Sequence, residues 1–145
     1  MKTFTAIAAC VLALAFATPA SAQQATLYKR LGGYDAMVAV TDEFLGRLNA
    51  DPQFMRFFSG HSTDSIKRLR QHVVDFLCFA TGGPCVYMGR DMKTSHAGLG
   101  ITEKDWDASV KSLVATLDKL NVPAKEKDEV LAAVSGLKKD IVEKP

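Results

Sequence analysis

The chain has 145 residues, of which 48% are hydrophobic and 23% are charged. A length of this order allows one domain with its own hydrophobic core. Ten glycines and five prolines are ordinary numbers, and they exclude a collagen-like or low-complexity chain. The formal net charge of +2 does not indicate a nucleic-acid-binding surface. We therefore expect a folded domain with no nucleic acid among its partners.

The first 22 residues have the pattern of an export signal. Lys2 supplies a positive charge, residues 6–16 form an apolar run of eleven, and residues 20–22 are Ala-Ser-Ala, the small residues that a signal peptidase prefers. An uncleaved anchor is the alternative, but eleven apolar residues are too few to cross a bilayer. We expect residues 1–22 to be removed and residues 23–145 to form a secreted or periplasmic domain without a membrane anchor.

Helical periodicity continues through the rest of the chain. Apolar residues recur at intervals of three and four, and no segment alternates apolar with polar residues as a strand does. Residues 84–101 lack a sustained period, which predicts a loop with one short helical turn. The pattern is typical of an all-α fold with four or five helices. The long helices are predicted over residues 34–48, from a cap within 62–64 to the stop at 82–84, over 103–120 with a cap at Thr102, and from 124 to about 142.

Three histidines are candidate ligands. His96 lies in the irregular segment, and a long loop in a small domain often forms a site. His72 lies at the flank of an apolar helical face, and His61 lies in the polar loop before it. Imidazole binds transition metals and haem iron, although a single histidine in a helical protein is more often structural.

The aromatic residues also do not decide between a cofactor site and a purely structural role, because they could line a flat apolar cofactor or form the core. They are Phe44, Phe54, Phe57, Phe58, Phe76, Phe79, Tyr87 and Trp106.

The cysteines allow two main interpretations. Removal of the leader takes Cys10 with it and leaves Cys78 and Cys85. In an oxidising compartment this pair could form a disulfide, or it could remain as two free thiols. A metal site is less favoured, because the pair has no CxxC spacing and no histidine nearby.

Five short motifs follow one another along the chain. They are LYKRLGGY at residues 27–34, DP with FF at 51–58, FLCFATGGPC at 76–85, GRDMK at 89–93 and HAGLGI at 96–101. Together they resemble the group I truncated globins, and the resemblance spans residues 26–135. It implies a two-over-two sandwich of helices around one haem b, with loop in place of much of the helix on the proximal side.

The resemblance also implies roles for individual residues. His96 matches the proximal histidine that binds the haem iron. Phe58 matches a phenylalanine that packs against the porphyrin, and Trp106 matches a large apolar residue on the following helix. Arg90 and Lys93 match positions that can contact the propionates. The residues expected at the haem are Phe44, Leu45, Phe58, Leu69, His72, Val73, Phe76, Arg90, Lys93, His96 and Trp106.

Two departures from the family pattern concern the distal side. Many members have a tyrosine on the first long helix that donates a hydrogen bond to the gas ligand, and Leu45 stands there in this chain. Leu69 and Val73 stand where glutamines often assist that tyrosine. A buried hydrogen bond of this kind slows ligand release by about ten- to a hundredfold. The departures therefore argue against slow, tight oxygen binding.

His72 matches a position from which some family members supply a second histidine to the iron. If it ligates, the haem is six-coordinate, and an external ligand must displace the side chain before binding. Such a protein suits electron transfer or sensing. The alternative is a histidine at the solvent edge, and the sequence leaves both open.

Three functions are compatible with these observations. The first is reversible binding of O2, NO or CO at a His96-ligated iron with a largely apolar distal pocket. The second is a nitric oxide dioxygenase or a peroxidase-like enzyme, which would need an unidentified reductant, since the chain has no flavin or nicotinamide motif. The third is a helical interaction module without cofactor. We expect a monomer or weak dimer.

Overall fold

The computed structural model describes residues 25–145, so the predicted leader at residues 1–22 lies outside it. Within that range the chain forms eight helical segments, and the only β-type pairing is one bridge between Thr102 and Lys144. The predicted all-α class is confirmed. The helices are α1 (Leu27–Leu31), α2 (Tyr34–Ala50), α3 (Met55–Phe58), α4 (Thr63–Ala80), α5 (Met92–His96), α6 (Glu103–Lys119), α7 (Ala124–Ser135) and α8 (Lys138–Ile141).

Helix α2 is the centre of the core, because it packs against both α4 and α6. Two separate groups of buried side chains lie along it, each on a different neighbour. Burial of a large apolar side chain stabilises a fold by about 1.5–3 kcal/mol, so these groups hold the three long helices together. The first group is Val40, Leu113, Leu117 and Val130, and the second is Met37, Val74 and Cys78.

Side-chain caps define where the long helices begin. The Ser62 hydroxyl accepts a hydrogen bond from the backbone N–H of Ser65 at the start of α4. Thr102 caps α6 in a reciprocal capping box with Asp105. Both starts were predictable from the sequence, because a cap depends only on residues three positions apart. The structure confirms both.

The prediction of one helix over residues 124–142 is wrong. Helix α7 ends at Ser135, the chain turns at residues 136–137, and α8 is a single turn followed by an extended tail. Gly136 weakens the helix at this point. The break lets Glu143 and Lys144 donate backbone hydrogen bonds to the carbonyl of Ile101, which a continuous helix would not allow.

Cys78 and Cys85 form a disulfide with a Cα–Cα distance of 5.7 Å. It joins the last turn of α4 to the loop that leads to α5. Of the two interpretations that the sequence left open, the structure therefore supports the disulfide over two free thiols. No helix in residues 25–145 combines the length and the apolar character needed to span a bilayer.

Candidate functional site

His96 is the last residue of the short helix α5 and is half-buried. Asp91 caps this helix by accepting hydrogen bonds from the N–H and the hydroxyl of Thr94, each at 2.8 Å. The Nδ1 atom of His96 lies 2.7 Å from the Met92 carbonyl oxygen. Since a carbonyl only accepts, Nδ1 carries a proton in this contact. In the neutral side chain the lone pair would then lie on Nε2, the ring atom that could bind a metal.

Helix α5 lies outside the central core. Among the elements of residues 25–145, α8 is the one against which α5 packs closely, and neither α4 nor α6 makes a contact of that extent with it. A flat cofactor between the histidine and α4 requires this separation. The arrangement of α5 thus fits the cofactor that the sequence implied.

The predicted distal residues on α4 are exposed or half-buried. Leu69 is 40% exposed, His72 is exposed, and Val73 and Phe76 are half-buried. In the loop before α5, Met88 is 82% exposed. Large apolar side chains in water cost free energy in proportion to their exposed area, so a bound apolar group on this surface would stabilise the fold.

Tyr87 is a residue of this region whose position the sequence did not reveal. Its ring meets the ring of His72 edge-on, with centroids 6.3 Å apart, and the ring of Phe76 edge-on at 5.3 Å. Its hydroxyl donates a hydrogen bond to the Arg90 carbonyl at 2.7 Å. Edge-to-face pairs are attractive, and Cys85, two residues earlier, anchors the loop through the disulfide. His72 is thus packed against the loop that the disulfide anchors.

The remaining apolar residues of the prediction lie on α2, α3 and α6. Phe44 is half-buried and packs against the group formed by Val40 and its neighbours, so part of its surface belongs to the core. Leu45 and Phe58 are half-buried, and Trp106 is buried. The structure thus places all of these side chains at least partly inside the protein.

Arg90 and Lys93 flank the cap of α5, and both are exposed. Neither side chain takes part in an ion pair within the described part of the chain. Both cations are therefore available to an anionic group beside His96.

Asp105 ties the segment before α3 to the start of α6. It is 3% exposed and accepts hydrogen bonds from the N–H of Thr102 at 2.9 Å, from the Thr102 hydroxyl at 2.8 Å and from the Gln53 amide at 3.0 Å. Arg56 forms an ion pair with it. Burial tends to raise the pKa of Asp105, but these hydrogen bonds outweigh it and hold the pKa well below its ordinary value. The network positions α3, which ends in Phe58.

An apolar cavity of about 110 Å³ lies among α1, α2, α4, α6 and α7. Of the residues predicted to contact haem, Phe76 alone lines it, together with core residues such as Leu77 and Val134. His96 does not reach this cavity. The cavity is therefore distinct from the candidate site at α5.

The sequence matches the family model described as "Bacterial-like globin" over residues 26–143. It is 35% identical over 120 residues to the group 1 truncated hemoglobin GlbN of Mycolicibacterium paratuberculosis, covering 83% of this chain and 86% of that protein. It is 37% identical over 115 residues to the group 1 truncated hemoglobin GlbN of Synechocystis, covering 77% of this chain and 90% of that protein.

Solved structures agree with these matches. The Fe(III) form of the truncated hemoglobin of Tetrahymena pyriformis superposes with a TM-score of 0.74 at 31% identity, covering 81% of this chain and 98% of that chain. The 2/2 hemoglobin of Synechococcus sp. PCC 7002, solved with covalently attached heme, has the same TM-score and coverage at 33% identity. The predicted two-over-two fold is confirmed, and the chain belongs to the group 1 truncated hemoglobins.

Proposed function

We propose that this chain binds a diatomic gas reversibly at the iron of a haem b held by His96. The proposal is supported above all by the contact of His96 Nδ1 with the Met92 carbonyl, which leaves Nε2 as the ring nitrogen available to bind iron. Haem, when bound, would supply an iron centre that can take O2, NO or CO. The other site residues bind and orient that group and set the polarity around the gas.

On the proximal side, α5 orients the imidazole. The Asp91 cap holds the first turn of the helix, and the N–H of Thr94 is the main cause of a lowered pKa for the Asp91 carboxyl. The carboxyl therefore remains a charged acceptor at neutral pH. A fixed helix and a fixed tautomer lower the entropy lost when His96 takes up its ligating position.

On the distal side, the chain offers apolar side chains to the gas. Leu45, Leu69 and Val73 have no hydrogen-bond donor, so they cannot slow the release of oxygen in the way a tyrosine or glutamine does. The edge-on contact of His72 with Tyr87 holds this imidazole against the loop before α5, and on this ground we favour an open distal face over a two-histidine haem. We propose fast, reversible gas exchange.

At the rim, Arg90 and Lys93 hold the propionates in this proposal. Both are exposed, and no ion pair within residues 25–145 engages them. An arginine can form two parallel hydrogen bonds to a carboxylate, whereas a lysine acts as a point charge.

The proposal includes an exported location. Residues 1–22 have the composition of a cleavable leader, and the Cys78–Cys85 disulfide is of a kind that persists in oxidising compartments. Cell fractionation, with the intact mass measured in each fraction before and after reduction, tests these points. Recovery from the cytoplasm alone would contradict export, and a mass that still includes residues 1–22 would contradict cleavage of the leader.

Absorption spectra in the ferric, ferrous and CO-bound states test the haem proposal. The wild type is expected to show a Soret band that shifts on addition of CO. His96→Ala should lose its haem on gel filtration, whereas His61→Ala, a change in the exposed loop before α4, should retain it. A spectrum of His96→Ala identical to that of the wild type would show that another residue holds the iron.

A further inference from the structure

The C-terminal tail lies alongside the loop that follows His96. Backbone N–H groups of Glu143 and Lys144 donate to the Ile101 carbonyl at 2.9 and 3.2 Å, and the Glu103 N–H donates to the Lys144 carbonyl at 3.2 Å. Helix α8, which precedes the tail, packs against α5. The C-terminal segment therefore contacts the chain before the loop, through α8 and α5, and after it, through Ile101 and Glu103.

The side chain of Glu143 binds this loop directly. One carboxylate oxygen accepts a hydrogen bond from the Gly98 N–H at 2.6 Å, and the other accepts from the Gly100 N–H. Both glycines have positive φ angles, 81° and 65°, a conformation that favours glycine. Two N–H groups turned toward one point form a concave site for an anionic oxygen pair.

The loop needs such an anchor because α5 cannot hold its own geometry. A helix of five residues contains one turn, and an isolated turn is unstable in water. Asp91 fixes its N-terminal end. At the other end only Ala97 separates His96 from Gly98, the first residue that Glu143 holds. A displacement of Gly98 therefore acts on the helix end that carries the imidazole.

We propose that Glu143 is a positioning residue for His96, holding residues 97–100 so that the imidazole keeps its direction toward the haem iron. This inference rests on the proposed function of His96 as the iron ligand. Within the described residues, Glu143 supplies the side-chain contact to the two glycine amides, and it does so from a part of the chain 45 residues away from Gly98.

The test compares Glu143→Gln with Asp140→Asn in haem-loaded full-length protein. Asp140→Asn is the matched control, because it removes the same charge from the same segment and its side chain makes no hydrogen bond within residues 25–145. Three quantities are measured: hydrogen exchange at the amides of Gly98 and Gly100, the iron–histidine stretching frequency, and the rate of haem transfer to excess apomyoglobin.

Glu143→Gln should raise the exchange rate at Gly98 and Gly100 and the haem transfer rate by about three- to tenfold, since a charge-assisted pair is lost at an exposed site. The iron–histidine band should shift or broaden, and Asp140→Asn should match the wild type in all three measurements. Glu143→Gln with wild-type haem transfer and an unchanged band would refute the positioning role while leaving His96 as ligand. A wild type that retains no haem would overturn both proposals.

Discussion

Replacement of Asp105 by alanine is predicted to destabilise the fold by about 3 kcal/mol. Loss of the hydrogen bond from the Thr102 N–H to the Asp105 carboxylate, which is one half of the capping box, costs about 1 kcal/mol. Loss of the hydrogen bonds from Gln53 and the Thr102 hydroxyl to a buried carboxylate costs about another 2 kcal/mol. The Arg56 pair adds little, because the arginine side chain is half exposed.

Urea denaturation at pH 7 measures this loss. For a slope of about 2 kcal/mol per molar urea, the midpoint should fall by about 1.5 M. Asp107→Ala is the matched control, since Asp107 is exposed two residues further along the same helix. If the two variants have the same midpoint, the hydrogen-bond network does not contribute the stability assigned to it.

The same network predicts a pH dependence with a definite sign. The pKa of Asp105 is well below its ordinary value of about 3.9 in the folded protein. Its contribution to stability is therefore complete above about pH 4 and declines as the pH falls further, because the unfolded chain takes up the proton first. Asp105→Asn should show a smaller loss of stability between about pH 4 and pH 2 than the wild type. An equal loss would assign the acid sensitivity to other carboxylates.

Three further predictions concern the distal side and the disulfide. Ferric wild type should be high-spin at neutral pH, and His72→Leu should leave it so; a low-spin wild type that becomes high-spin in the variant would show that His72 ligates the iron. Leu45→Tyr should slow oxygen release by about ten- to a hundredfold in stopped flow, and Leu45→Phe should not; equal rates would place residue 45 away from the gas. Cys78→Ser with Cys85→Ser should lower stability by about 2.5 kcal/mol, since the disulfide closes a loop of about eight residues; an unchanged urea midpoint would contradict this.

Much of the fold was predictable because helices depend on local pattern. The apolar spacing, the cap cluster at residues 62–64 and the cap at Thr102 placed the starts of α4 and α6 close to where they are observed, and the structure selects Ser62 within the cluster. The short helices α1 and α3 were not predicted, because one turn is too short to show a period. The all-α class followed from the helical periodicity, and the family followed from the order of the motifs along the chain.

The candidate site was only partly predictable. His96 stood out because it lies in a glycine-flanked loop, and His72 because it lies at the edge of an apolar face. The sequence did not reveal Tyr87 as the neighbour of His72, since that contact depends on how the loop returns to α4 after the disulfide.

By itself the sequence determined the all-α class, the starts of the long helices and the family, since each depends on local spacing or on ordered motifs, and it singled out His96 as the candidate iron ligand. The tertiary structure alone decided the break after Ser135, the contact of Glu143 with Gly98 and Gly100, and the network around Asp105. The contacts of Glu143 and the bonds from Gln53 and Arg56 to Asp105 join residues 43 to 52 positions apart. Their partners meet only when the core has packed, and no local pattern marks them in advance.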